Sequence, residues 1–153
     1  MLKVGIQAPP FAAKTTQGNE LSLDGLRGKY VVMYFFPKAF TPGCTIETKG
    51  FQSNYADIAE LGAEVIGVST DRMNTQCQFA DKYGVEFPML ADEDGAITRA
   101  YEAGRGGLLP FNQRITYIID PEGKIAAAFD YRLRAHKHIE DALSFMRRAA
   151  PAS

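Results

Sequence analysis

The chain has 153 residues, 46% of them apolar and 23% charged, a length and balance suited to one domain with its own hydrophobic core. These values exclude disordered and fibrous classes. Seventeen basic against eighteen acidic side chains leave a formal net charge of −1, which supplies no field to recruit nucleic acid or anionic lipid.

The N-terminal residues Met1 to Gly5 lack the apolar core of a signal peptide, and no apolar run reaches the roughly 18 residues of a membrane helix. The expected location is therefore the cytoplasm, with neither nucleic acid nor membrane as partner. Turn signals at Gln17-Gly18-Asn19 and Asp24-Gly25 divide the first thirty residues into a short hairpin and loop. Tyr30 to Phe36 is an uninterrupted β-branched and aromatic run, which predicts a central strand buried on both faces. From Pro42 to Leu61 the positions Phe51, Tyr55 and Ile58 recur at helical spacing, and Gly62 follows as a C-terminal cap, so one helix is expected. Ala63 to Ser69 is a second compact strand, parallel to the first through a right-handed crossover. Asp71 can cap the next helix, on which Met73, Cys77 and Ala80 share a face before Gly84 ends it.

Beyond Phe87-Pro88-Met89-Leu90 the pattern predicts a short helix over 96–101 and then a mobile glycine-rich loop, Gly104-Arg105-Gly106-Gly107. Ile115 to Ile119 and Ile125 to Phe129 flank Asp120-Pro121-Glu122-Gly123, an antiparallel pair with a tight turn. The last helix sets Ile139, Ala142, Leu143 and Met146 on one stripe, to pack against the sheet, with basic residues in its final turn. The whole order reads as one α/β domain, residues 1–153, with a mixed sheet.

Two cysteines, Cys44 and Cys77, are too few for a disulfide-stapled scaffold or a tetrahedral zinc site, which leaves redox or nucleophilic chemistry. The segment Pro37-Lys38-Ala39-Phe40-Thr41-Pro42-Gly43-Cys44 joins a buried strand to a helix, where open α/β sheets place their sites. With Thr41 as N-cap, Pro42 occupies the first helical position and Cys44 the third. Free N–H groups and the positive end of the helix dipole there favour a thiolate, the nucleophilic form. Cys44 precedes Phe51 by seven residues on the helical stripe, so its side chain should point inward. The competing reading is a small buried residue that happens to start a helix.

The chain resembles the peroxiredoxins, and among them the peroxiredoxin Q or bacterioferritin comigratory protein group, nearly end to end. The family pattern of proline, threonine and cysteine is met by Pro37, Thr41 and Cys44. Phe40-Thr41-Pro42-Gly43-Cys44-Thr45 with Glu47 looks like the peroxiredoxin Q version, and Val68-Ser69, Asp92-Glu93-Asp94-Gly95 and Ile118 to Lys124 follow in family order. The resemblance implies a thioredoxin-like fold and the reduction of hydrogen peroxide or organic hydroperoxides by Cys44. It also implies no metal, haem or other cofactor, recycling by thioredoxin or another thiol reductant, and a monomer.

It further implies that Arg114 is the catalytic arginine. Geometry supports this separately: if strand 114–120 runs antiparallel to strand 30–36, Arg114 lies beside the end from which the Cys44 loop departs. There it would stabilise the thiolate and the developing charge on the peroxide. By the resemblance Thr41 hydrogen-bonds the peroxide, Pro37 shields the pocket and Glu47 orients Arg114. The plainer readings are a surface arginine at a strand end and an acid that merely suits the helix dipole.

Cys77 is the candidate resolving cysteine. The resolving cysteine of many relatives would fall at Lys49, and that of others at Ala80, one turn beyond Cys77. Cys77 lies at the edge of its helix's buried arc and so should be partly accessible. The favoured expectation is an intramolecular Cys44–Cys77 disulfide reached by local unwinding at Gly43; a one-cysteine enzyme resolved by an external thiol stays open.

Other functions fit less well. A dithiol oxidoreductase needs a second cysteine three positions after the first, where Glu47 stands. A cysteine hydrolase needs a histidine base, and His136 and His138 look like solvated residues at the start of the last helix. The alternative from another class is a catalytically idle thioredoxin-like domain that binds a partner by its sheet edge or by Leu108-Leu109-Pro110-Phe111, a loop that could equally form a collar over Cys44.

Overall fold

In the computed structural model, which describes residues 1–104, 113–131 and 134–149, the early turn signals fold as a hairpin of β1 (Ala12–Lys14) and β2 (Glu20–Ser22). The central apolar run becomes β3 (Tyr30–Phe35), followed by α1 (Pro42–Ser53), α2 (Tyr55–Glu60) and β4 (Ala63–Ser69), with β3 and β4 parallel. Then come α3 (Met73–Lys82), β5 (Met89–Ala91), α4 (Ala96–Ala100), the antiparallel pair β6 (Ile115–Ile119) and β7 (Ile125–Asp130), and α5 (Ala135–Ala149). The five-stranded sheet has the order β5-β4-β3-β6-β7, mixed as expected, with β3 in the middle.

The period-two geometry of β3 sends its side chains into two separate cores. Val32, Tyr34 and Phe36 join Phe51 of α1, Ile58 of α2, Phe79 of α3 and Ile139, Ala142 and Met146 of α5. Val31, Met33 and Phe35 face the N-terminal segment, where Leu2, Phe11 and Leu23 pack with Tyr101. That is why the run shows no polar alternation. The β6–β7 turn is held by Asp120, whose carboxylate accepts from the Glu122 and Lys124 amides, and Gly123 supplies φ +88°.

Two local expectations are corrected, and a third is extended. The helix over 42–61 is divided at Asn54, where the Gly50 carbonyl accepts both the Asn54 side-chain amide at 2.8 Å and its backbone N–H at 3.2 Å. Asp71 does not cap α3: the N-cap is Arg72, and the Asp71 carboxylate turns toward the Cys44 loop instead. The last helix packs on α1 as well as on the sheet; a Cβ at Gly50 would lie 2.9 Å from Ile139 Cδ1, so the glycine permits the close approach. Apart from Gly104, the expected glycine-rich loop and the collar at 108–111 lie outside the described residues. Among the described residues no helix is long and apolar enough to cross a membrane.

Candidate active site

β3 delivers the chain to the loop 36–41, and α1 begins as the sequence dictates. Thr41 is the N-cap in extended conformation, Pro42 occupies the first helical position, and the Thr45 amide bonds the Thr41 carbonyl at 2.9 Å. The Thr41 hydroxyl does not cap the helix; it donates to the Lys38 carbonyl at 2.6 Å and tightens the loop. Asp71 fastens the loop from outside, accepting from the Ala39 amide and from the Ser69 hydroxyl, each at 2.7 Å. Phe40 sits at φ +67°, an unusual state for a bulky residue, with its ring edge-on to Phe79 at 5.1 Å. Pro37, within this loop, is half-buried.

Cys44 is fully buried in the first turn of α1. The antiparallel register that pairs Phe35 with Ile115 brings Arg114, the preceding residue, to the same end of the sheet. Its Nη2 lies 3.7 Å from Cys44 Sγ, and its Nη1 donates to Glu47 Oε1 at 2.9 Å. Glu47, one turn after Cys44 and on its face of the helix, is fully buried, and the arginine side chain is nearly so. The guanidinium thus lies across the sulfur and the carboxyl group, presenting an opposite charge to a sulfur anion in a site shielded from water. Gly43 makes room for it: a Cβ there would lie 2.7 Å from Nη2. Sequence reasoning missed this second use of Gly43, which only the register of β6 reveals.

Burial dominates the electrostatics of Glu47 and, despite Arg114, pushes its carboxyl up to about 8. Among the described residues its Oε2 has no hydrogen-bond partner, and it faces His138 Nδ1 at 3.7 Å. The reading of His138 as a solvated residue is therefore overturned. It is fully buried, with Nε2–H donating to the Tyr131 carbonyl at 3.0 Å, which leaves Nδ1 to accept the Thr116 hydroxyl at 2.8 Å. The missed signal was its place four residues before Ala142 and next to Ile139, at the edge of the apolar stripe of α5. His136, one helical step away from that stripe, is exposed.

Cys77 is half-buried at the edge of α3, whose Gln76, Phe79 and Ala80 point inward, and its sulfur lies 3.9 Å from the Thr16 carbonyl oxygen. Both cysteines are free thiols. The structure thus brings together Cys44, Arg114 and Glu47, sets Thr41 and Pro37 in the adjoining loop, and keeps Cys77 on a neighbouring helix.

The AhpC/TSA family profile matches residues 4–128. Peroxiredoxin Bcp of Escherichia coli is 34% identical over 134 residues, covering 84% of this chain and 86% of its own. The crystal structure of peroxidoxin BcpB from Mycobacterium tuberculosis superposes with a TM-score of 0.91 at 28% identity, covering 99% of this chain and 100% of that one. The bacterioferritin comigratory protein of Xanthomonas campestris, whose structures address its alkyl peroxide reduction activity, gives a TM-score of 0.86 at 26% identity over 97% of this chain and 100% of that one.

Proposed function

The chain belongs to the AhpC/TSA family and is a thiol peroxidase of thioredoxin-like fold, acting on peroxides with a thiol reductant, and we propose that Cys44 is the sulfur that attacks the peroxide. The observation that carries this assignment is the Arg114 guanidinium 3.7 Å from a buried sulfur in the first turn of a helix. The thiolate attacks one peroxide oxygen; an S–O bond forms as the O–O bond breaks. The other oxygen takes up a proton and leaves as water or an alcohol, and Cys44 becomes a sulfenic acid. Arg114 balances charge on the sulfur and then on the leaving oxygen, while Glu47 holds its other fork. Thr41, whose hydroxyl now serves Lys38, hydrogen-bonds the entering peroxide, and Pro37 keeps the pocket dry.

The sulfenic acid condenses with Cys77, forming an S–S bond and releasing water, after which thioredoxin returns two electrons as a dithiol. The half-buried thiol on the edge of α3 supports this choice, and the first turn of α1 must unwind to reach it. Phe40, strained on the loop that leads into that turn, favours such an opening. We take residues 1–153 as one domain, since its two apolar cores share one sheet, and as a monomer of the cytoplasm. Mass analysis after an equimolar dose of peroxide tests the resolving step. A monomer lighter by a pair of hydrogens, with a Cys44–Cys77 linked peptide, is expected. A sulfenic or sulfinic adduct on Cys44 beside a free Cys77 would make this a one-cysteine enzyme.

A further inference from the structure

A buried imidazole must have both nitrogens accounted for, and in His138 the account leads to the reactive sulfur. Nε2 faces a carbonyl, which can only accept, so Nε2 carries the proton and Nδ1 is bare. Nδ1 accepts from Thr116 on β6 and also faces Oε2, the oxygen of Glu47 that Arg114 does not use. At 3.7 Å the gap is too long for a hydrogen bond, and Oε2 has no hydrogen-bond partner among the described residues.

From this geometry, and resting on the assignment of Cys44 and Arg114 above, we infer that His138 is a positioning residue for peroxide reduction: its Nδ1 edge, held by Thr116, backs the Glu47 carboxyl group that holds Arg114 against Cys44 Sγ. The chain of contact runs from α5 through α1 to the first residue before β6, so a rotation of the imidazole would turn the carboxyl and slide the guanidinium along the sulfur. Protonation fits the same picture. Burial pushes Glu47 up to about 8 and His138 down to about 4, so the carboxyl and the imidazole face each other as neutral groups near neutrality. The groups around the imidazole are Arg114 and Thr116 at β6, Asp130 and Tyr131 at the end of β7, and Asp141 on its own helix, with Glu47 of α1 facing it at 3.7 Å. Asp141 already accepts from the Tyr131 hydroxyl and from Lys137, whereas among the described residues Glu47 Oε2, turned to the ring, has no hydrogen-bond partner.

The test is the single-turnover rate of Cys44 oxidation by hydrogen peroxide from pH 5 to 9, read by quench and mass analysis in wild type, His138→Leu and His138→Asn. Misplacing the guanidinium should slow His138→Leu by between about tenfold and a hundredfold and change the shape of its pH profile. His138→Asn, which keeps a polar atom near Nδ1, should recover most of the rate. Wild-type rate and profile in a folded His138→Leu would overturn the inference and leave His138 as a tie between α5 and the sheet. If His138→Leu does not fold, nitrogen NMR of the wild-type imidazole decides: the Nδ1 signal should move on Arg114→Lys, and an unmoved signal contradicts the inference. Cys44→Ser run in parallel separates the two readings, because turnover there removes the Cys44 assignment itself, whereas an inactive Cys44→Ser beside a fully active His138→Leu removes only the role of His138.

Discussion

At the scale of single residues, the site is defined by what lies against one guanidinium. Gly43 offers a test that separates stability from function. Alanine is the better helix former by up to about 1 kcal/mol, so Gly43→Ala should leave the unfolding midpoint unchanged or raised. Its methyl group would meet Arg114 Nη2 at 2.7 Å and displace it from Cys44, lowering kcat/KM by about tenfold or more. Equal activity with raised stability would remove the close contact from the account. Glu47 makes a second prediction through proton linkage. Its carboxyl is raised from 4.5 to about 8 in the fold, so the folded state holds a proton that the unfolded state has lost, and stability falls as pH rises between those values. His138, lowered from 6.5 to about 4, works in the opposite sense, adding stability as pH rises from 4 to 6.5. The two offset each other below 6.5, and from 6.5 to 8 only the Glu47 effect remains, at most about 1.4 kcal/mol per pH unit. Urea midpoints of wild type should therefore drop between pH 6.5 and 8, and those of Glu47→Gln should not; a parallel drop in both proteins would refute the buried-acid assignment.

At the scale of elements, β3 and β4 were legible because strands buried on both faces cannot hide polar residues, and their sequences contain almost none. The start of α1 was equally plain, since a threonine, a proline and a cysteine in that order meet the demands of a helix N-terminus. What pattern alone could not reveal are the side chains that compete with backbone. Asn54 matches a helical position in composition, and where the helix divides its side chain shares the Gly50 carbonyl with its own backbone N–H; Asp71 has the chemistry of a cap and is spent on the Cys44 loop. Gly67 in β4 is a further constraint of packing: the Tyr34 ring lies across it, and a Cβ there would meet the hydroxyl oxygen at 2.8 Å and ring carbon Cζ at 2.9 Å. Tyr34 is itself pinned between Phe51, stacked at 4.5 Å, and the Thr48 hydroxyl at 2.9 Å, so it cannot swing away. Gly67→Val, in spite of valine's preference for strands, should destabilise the fold by about 1–3 kcal/mol. Chemical unfolding checks this, and a more stable variant would contradict the packing described here.

At the scale of the whole molecule, the sheet works as a frame that brings together two residues 70 positions apart in sequence. One antiparallel pairing, Phe35 with Ile115, places Arg114 where the Cys44 loop departs, and that consequence of strand order could be argued before any coordinates. The position of His138 could not, because it depends on how deeply α5 settles against α1, and this depth is set by the small residue at Gly50 and by the one-sided apolar stripe of the helix. The histidine pair beside it in sequence concealed the difference between an exposed His136 and a buried His138. All of these contacts converge on one sulfur, so the decisive measurement is peroxide consumption by Cys44→Ser, assayed with a dithiol reductant beside wild type. A hydroxyl at neutral pH is a poor nucleophile, and the predicted result is loss of turnover to the background rate in a protein that still folds. Wild-type turnover in Cys44→Ser would contradict the account.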